Sequence, residues 1–216
     1  MSSDKPIIIL TLNGVLIKED TTKNAMAIFF DEFAKKYDDA SIRDYLLEDN
    51  LFNAVMTVIK NNNPSIEDDQ LMKLTGENYI NYLTNYIKKN LLDSVRSEVR
   101  DYLISIKDRF RFVLLATTPK ESINSILNAA GLEKLFDIIE YSPREFMYEK
   151  NKFYSSFIEK NGLPVLYLGG DKKSSFEFYK SIGVKTYFVN FDNIYEVENV
   201  DSIYDIDELK QVIEII

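Results

Sequence analysis

The amino-acid sequence predicts an α/β protein in which a parallel sheet lies between layers of helices and a helical bundle interrupts the first part of the chain. Three observations support this prediction. Continuous apolar runs at 7–10 and 112–116 are typical of strands that are buried on both faces. Beyond residue 92, such runs alternate with helical patterns, which indicates parallel strands joined by right-handed crossovers. Residues 22–90, in contrast, show helical patterns and no convincing strand.

The predicted elements divide the chain into a core domain and an insert. After the first strand, at 7–10, the insert contains helical patterns up to a break at Asn61-Asn62-Asn63-Pro64 and a second long helix over 66–89. Strands then follow at 112–116, 136–140, 165–168 and 184–189, with helices between them, and a final helix over 206–216 begins with a capping box of Asp205 and Glu208. We therefore predict a core of 1–18 and 92–216 and a helical insert of 19–91.

The composition excludes several kinds of chemistry. The chain has 35 acidic and 26 basic residues, a net charge of -9, which disfavours nucleic acid as a partner. It contains no Cys and no His, so that disulfides, thiol catalysis and the commonest general base are excluded. The N-terminus lacks the pattern of a signal peptide and no apolar run is long enough to cross a bilayer, from which we expect a cytoplasmic protein without membrane partners.

Three predicted strands end in chemically distinctive residues. These ends are Thr11-Leu12-Asn13-Gly14-Val15, Thr117-Thr118-Pro119-Lys120 and Gly170-Asp171. Ligands of parallel sheets bind at the carboxyl ends of the strands, so these segments are the candidate site.

Each feature also has a simpler interpretation. Asn13-Gly14 between apolar runs is typical of a β-hairpin turn. Thr117-Thr118-Pro119 is compatible with a capped turn into a helix, and Asp171 with a helix N-cap. Lys150 and Lys152 lie in a charged stretch where solvated side chains are common.

The ordered set of strand ends resembles the haloacid dehalogenase (HAD) superfamily, whose first motif is an apolar strand followed by Asp-x-Asp-Gly-(Val or Thr)-Leu. Here the strand precedes Thr11-Leu12-Asn13-Gly14-Val15-Leu16, in which both aspartates are replaced. Thr117 fits the Thr or Ser of the second motif, and Thr118 stands where Asn is common. Lys150 is our choice for the third-motif lysine, with Lys152 as the alternative. The resemblance implies a Rossmann-like three-layer core, with the helical insert as the cap domain.

The fourth motif of the family is a strand followed by Gly-Asp and a second Asp four residues later. Gly170-Asp171 fits, but the later position is Ser175. The spacing from Ser175 to Gly183, which ends the next helix, is that of the family. The resemblance therefore covers the whole chain and leaves Asp171 as the only aspartate retained.

In the family, as the resemblance implies, the first Asp attacks phosphorus, the second is general acid and base, and magnesium is held by carboxylates and a backbone carbonyl. Thr11 has a poorly nucleophilic hydroxyl and Asn13 cannot transfer a proton. Only Asp171 and the Asn13 carbonyl are left as metal ligands, which predicts weak magnesium binding and no other cofactor. Residues that could still hold a phosphate are more numerous: Gly14, Thr117, Thr118, Lys120 and Lys150.

Three functional hypotheses remain open at this point. The first is a catalytically degenerate HAD-like protein that binds a phosphorylated small molecule or inorganic phosphate. The second is an active magnesium-dependent hydrolase in which another acid, such as Glu19 or Asp20, replaces the missing carboxylates. The third is a scaffold that binds a protein partner or a second copy of itself. The sequence names no substrate.

Overall fold

The structure, a computed structural model, describes residues 5–143, 149–170, 173–193 and 195–216. The chain divides into two compact units, an α/β unit of Met1–Lys18 with Val95–Ile216 and a helical unit of Glu19–Ser94. The described residues include no helix with the length and apolar composition needed to cross a membrane.

The α/β unit is built on a parallel sheet of six strands, which confirms the predicted fold class. The strand order is β3-β2-β1-β4-β5-β6, and every neighbouring pair is parallel. The strands are β1 (Ile7–Leu10), β2 (Arg111–Ala116), β3 (Ile138–Tyr141), β4 (Leu166–Gly169), β5 (Lys185–Val189) and β6 (Asp201–Ile203).

The central position of β1 follows from its composition. All four residues of β1 are buried, because helices cover both faces of a parallel sheet and leave no polar side to a central strand. The register pairs Ile9 with Val113 of β2 on one side and with Tyr167 of β4 on the other. The chain passes from β1 to β2 in one direction and from β3 to β4 in the other, so the strand order reverses between β1 and β4. Such a reversal creates a crevice at the carboxyl ends of the two strands.

The helices of the α/β unit connect these strands. They are α5 (Ser97–Ser105), α6 (Lys120–Ala130), α7 (Lys150–Asn161), α8 (Lys173–Ser181) and α9 (Ile206–Glu214). The predicted N-cap of α9 is confirmed, since Asp205 Oδ1 accepts hydrogen bonds from Asp207 N and Glu208 N at 2.9 Å. The reciprocal bond of the capping box is displaced by one residue, because Glu208 accepts from Tyr204 N, at 2.7 Å, and not from the N-cap residue. Helix α6 ends at Gly131 in the left-handed conformation, as expected of a helix-terminating glycine.

The interior of the α/β unit on one face of the sheet is rich in aromatic rings. Tyr179 of α8 stacks on Tyr167 of β4, with ring centroids 4.3 Å apart, and also contacts Tyr154 of α7. Phe176 is fully buried and packs against both Tyr167 and Phe188. This packing fixes α7 and α8 against the strands that lead to the candidate site.

The helical unit contains α1 (Asp20–Tyr37), a 3₁₀ helix (Ala40–Leu47), α2 (Leu51–Asn62), α3 (Asp68–Lys89) and the short α4 (Leu91–Ser94). Its interior is also aromatic. Phe29 of α1 is fully buried and contacts Phe30, Phe33 and Tyr82 of α3. Rings spaced along one face of α1 thus provide the surface on which α3 packs.

One strand has no counterpart among the predicted elements. Strand β6 is three residues long, Asp201-Ser202-Ile203, and only Ile203 is buried. A single apolar residue gives no periodic pattern, and the pairing of β6 with β5 provides its backbone with hydrogen-bond partners. The sequence prediction therefore omitted this edge strand.

Candidate functional site

The segment after β1 forms a tight turn and not a hairpin. Leu16 N and Ile17 N both donate to the carbonyl oxygen of Leu12, at 2.9 and 2.8 Å, and Gly14 N donates to Ile17 O at 2.7 Å. Both sheet partners of β1 are parallel strands from distant parts of the chain. The hairpin interpretation of Asn13-Gly14 is therefore wrong, and the turn lies at the carboxyl edge of the sheet.

The Thr11 hydroxyl connects the ends of β1 and β4. Its Oγ1 donates a 3.0 Å hydrogen bond to the carbonyl oxygen of Asn13 and accepts a 3.0 Å bond from the backbone N–H of Gly170. The Thr11 N–H donates to Leu168 O at 3.1 Å and thereby continues the pairing of the two strands. The hydroxyl proton is directed at a carbonyl oxygen, which is too weakly basic to remove it.

Gly14 and Gly170 are in direct backbone contact. An added Cβ at Gly14 would lie 2.5 Å from the Cα of Gly170, and one at Gly170 would lie 2.2 Å from Asn13 O. Gly14 also has a φ of +76°, which L-residues with side chains adopt only at a cost. Both glycines are therefore required for the close approach of the two loops.

Arg96 holds the loop after β1 to the loop after β5. Its Nε donates to Gly14 O at 3.2 Å, and its guanidinium forms an ion pair with Asp192 and lies over the ring of Phe191, 5.1 Å from the centroid. The Arg96 side chain is only 5% exposed. It is the only charged residue among the buried residues that the structure describes.

The loop after β5 also reaches the end of β4. The side chain of Asn190, itself buried, donates to Tyr195 O at 2.8 Å, and the Tyr195 ring packs on Phe188 with centroids 5.0 Å apart. The Tyr195 hydroxyl makes a long 3.5 Å hydrogen bond to Gly170 O. Tyr195 and Thr11 therefore contact the same residue, Gly170.

The second strand end, after β2, lies at the same edge of the sheet. Thr117 and Thr118 are half-buried, and neither caps helix α6, whose N-cap residue is Pro119 and makes no side-chain cap bond. The interpretation of this segment as a side-chain-capped turn is therefore wrong. The Lys120 ammonium lies over the Tyr141 ring of β3, 5.9 Å from its centroid.

The two candidate lysines of α7 differ in their surroundings. Lys152 is exposed and pairs with Glu149 at 2.8 Å, whereas Lys150, the first residue of α7, is half-buried.

The Ser175 hydroxyl is buried and lies 3.3 Å from the Tyr154 hydroxyl. Nearby, burial raises the pKa of the Tyr179 hydroxyl, so this group stays protonated at all ordinary pH values.

Among the described residues, the site offers few suitable ligands for a magnesium ion. Magnesium prefers several oxygen ligands, with one or two carboxylates. Thr11 offers a neutral hydroxyl, and the Asn13 carbonyl, a predicted ligand, already accepts that hydroxyl's hydrogen bond. No group of three or more His, Cys, Asp or Glu residues suited to a metal occurs in the described ranges, and Asp171 lies outside them.

Three residues of this edge are missing from the sequence prediction: Arg96, Asp192 and Tyr195. The strand-end rule would have found the last two, because both follow β5 at the same edge as Thr11. Arg96 has no comparable local signal, since it precedes an ordinary amphipathic helix and is more than 80 residues from its partner Gly14.

The fold is that of the haloacid dehalogenase-like hydrolases. The structure is similar to YfnB from Bacillus subtilis, an assigned HAD-hydrolase bound to magnesium, with a TM-score of 0.64, 13% identity and coverage of 98% of this chain and 100% of that one. A haloacid dehalogenase-like hydrolase from Xanthomonas campestris has a TM-score of 0.64 at 16% identity, with coverage of 100% and 94%.

A HAD phosphatase from Thermococcus onnurineus is similar as well, with a TM-score of 0.64, 14% identity and coverage of 96% of this chain and 97% of that one. No protein-family model and no curated protein sequence matches this chain. The similarity at these low identities is a similarity of fold.

Proposed function

We propose that this protein is a catalytically degenerate member of the HAD-like fold that binds a phosphorylated small molecule without hydrolysing it. The observation that carries the proposal is the double hydrogen bond of Thr11, at the position of the family's nucleophile. Its hydroxyl is used to join the ends of β1 and β4, with Asn13 O and Gly170 N as partners. A hydroxyl in this role is structural.

The missing proton transfer supports the same conclusion. Asn13 has an exposed amide at the position of the family's acid and base, and a carboxamide is neither protonated nor deprotonated near neutral pH, so it cannot serve as a general acid or base. General acid–base help is typically worth about 10²–10⁴-fold in rate. Ser175, at the third lost carboxylate position, is buried against Tyr154 and adds no charge. Of the alternative acids, Asp20 accepts a hydrogen bond from Asn24 within α1, and Glu19 precedes the same helix.

Phosphate binding is supported by the residues that remain. Thr117 and Thr118 follow β2 at the same edge of the sheet as Thr11, and Lys150 is half-buried at the first position of α7. We therefore assign Lys150, with Thr117 and Thr118, to the phosphate cradle, and Lys120 to its outer edge. The Gly14 N–H is already bonded to Ile17 O, so Gly14 contributes by its close approach to Gly170. We also assign the helical unit to the position in the chain that the family's cap domain occupies.

The test combines catalysis and binding. We expect the wild-type protein to release no phosphate from an aryl phosphate with magnesium, and to bind inorganic phosphate with the same affinity in magnesium and in EDTA. The triple variant Thr11→Asp/Asn13→Asp/Ser175→Asp should gain magnesium-dependent affinity. A control for added charge is Asn53→Asp/Thr57→Asp/Asn61→Asp, which likewise adds three carboxylates, in α2 of the helical unit.

The alternative function is an active magnesium-dependent phosphatase. It is favoured by the magnesium in YfnB and by Asp171, which follows Gly170 in the sequence. Turnover of the wild-type protein at rates usual for such enzymes, abolished by Asp171→Ala, would establish this alternative and overturn the degenerate assignment.

A further inference from the structure

We propose that Tyr195 forms an aromatic wall of the candidate site and selects phosphorylated ligands that carry a planar ring. This inference rests on the proposed function, since it assigns a ligand class to the same strand-end site. Its starting point is that Gly170 contacts both the Tyr195 hydroxyl, in the loop after β5, and the Thr11 hydroxyl, at the end of β1.

The ring is held at the end of β4. One contact is the packing on Phe188, with centroids 5.0 Å apart and planes inclined by 33°, and the second is the hydroxyl at 3.5 Å from Gly170 O. The backbone of the same residue is fixed by the buried side chain of Asn190, which donates to Tyr195 O at 2.8 Å. Three contacts thus set the direction of the ring before any ligand binds.

The loop that carries the ring is also fixed to the loop after β1. Arg96 bridges the two loops through Gly14 O, the carboxylate of Asp192 and the face of Phe191. A buried guanidinium with a charged partner is costly to displace. Arg96 therefore ties the first residues of the loop after β5 to the Asn13-Gly14 turn, at the edge of the sheet where Tyr195 also lies.

Despite these contacts, Tyr195 is 43% exposed. A large aromatic side chain that is oriented by its neighbours and still open to solvent is a stacking surface for a planar group. Because the Tyr195 hydroxyl lies against Gly170, whose N–H donates to the Thr11 hydroxyl, we place a ring stacked on Tyr195 beside a phosphoryl group bound at the strand ends. The ligand class is a phosphate monoester with an aryl or nucleobase ring.

The experiment compares two phosphonates that cannot be hydrolysed, phenylphosphonate and methylphosphonate, by calorimetry. For the wild-type protein we expect phenylphosphonate to bind about tenfold more tightly, the preference that one aromatic stack supplies. Tyr195→Phe should keep this preference. Tyr195→Ala and Tyr195→Leu should abolish it by lowering the affinity for phenylphosphonate to that for methylphosphonate, with folding checked by circular dichroism.

Tyr204→Ala is the matched control, because Tyr204 is 44% exposed in the same unit and its hydroxyl donates to Glu196. This variant should retain the full preference. Two results would overturn the role of Tyr195 without affecting the proposed function. One is binding of methylphosphonate with no preference for phenylphosphonate, and the other is a preference that survives Tyr195→Ala. Failure of the wild-type protein to bind any of these anions, inorganic phosphate included, would overturn the proposed function and this inference together.

Discussion

The α/β unit and the helical unit are both packed around aromatic rings, but they use polar groups differently. In the helical unit the ion pairs of Asp31 with Lys35 and Arg43 join exposed side chains on its surface. In the α/β unit, a hydroxyl and a buried guanidinium cross-link loops that are far apart in sequence.

This difference indicates where in the chain polar groups and close backbone contacts are held in fixed positions. A close glycine contact and a buried arginine are unfavourable unless their partners are held in place, so they are not expected where apolar packing alone would suffice. Both features occur at the carboxyl edge of the sheet. The comparison implies that substitutions at this edge disturb a tightly coupled set of contacts, whereas polar substitutions on the helical unit are nearly neutral.

The largest effect is expected at Gly14. Gly14→Ala introduces a Cβ 2.5 Å from the Gly170 backbone and also strains a residue with φ +76°. We expect the free energy of unfolding to fall by about 3 kcal/mol, from overpacking and left-handed strain together. Urea denaturation followed by circular dichroism measures this change.

Gly131→Ala is the matched control for this prediction. Gly131 has a similar φ of +65°, but an added Cβ would meet no atom within 4 Å. The expected loss is about 1 kcal/mol, from the left-handed conformation alone. Equal losses in the two variants would mean that the contact between Gly14 and Gly170 is easily relaxed, and the contrast between the two units would lose its main support.

A smaller effect is expected at Thr11. Thr11→Val keeps the shape of the side chain but leaves Asn13 O and Gly170 N without the hydroxyl that joins them. Loss of a hydrogen-bond partner in a partly buried site costs about 1–2 kcal/mol, and the Gly170 amide should exchange its hydrogen faster in NMR measurements. Thr57→Val, which removes a hydroxyl bonded to Asn53 O within α2, should change stability much less. Unchanged exchange at Gly170 would contradict the cross-linking role of Thr11.

The same contrast explains how much the sequence predicts. Buried strands such as β1, and the N-cap of α9 at Asp205, are specified by residues close together in sequence, and both were predicted. The edge strand β6 lacks such a pattern, because only one of its three residues is buried. Its backbone pairing with β5 is what defines it as a strand. Local patterns therefore predict the fold except where tertiary pairing alone defines an element.

The candidate site is less predictable than the fold for a physical reason. The position of Thr11 at a strand end follows from the motif, but its two hydrogen-bond partners follow from the approach of β4. The contact of Arg96 with Gly14 depends on a backbone path that no local pattern encodes. Residue types can thus be assigned to a site from sequence, whereas their mutual contacts require the assembled sheet.

The smallest expected effect is a polar contact of the helical unit. The Tyr82 hydroxyl donates a hydrogen bond to the Glu32 carboxylate, and burial, followed by this bond, raises the pKa of Tyr82 to about 12 from 10.0. A proton held more tightly in the folded state stabilises that state below pH 10, and the contribution is lost as the pH rises through 12. Because Tyr82 is partly exposed and solvent screens the contact, we expect Tyr82→Phe to lower the free energy of unfolding by less than about 1 kcal/mol at neutral pH.

Denaturation at several pH values, with Tyr86→Phe in the same helix as the matched control, measures this contribution as the difference between the two variants. The difference should decrease above pH 10, where Tyr82 ionises in the unfolded chain while it is still protonated in the folded protein. A loss at neutral pH as large as that of Thr11→Val would show that the helical unit depends on polar contacts as strongly as the strand-end loops do. In that case polar contacts on which stability depends would no longer be confined to the carboxyl edge of the sheet. A ligand contact in the helical unit would then have to be sought around Tyr82 and Glu32.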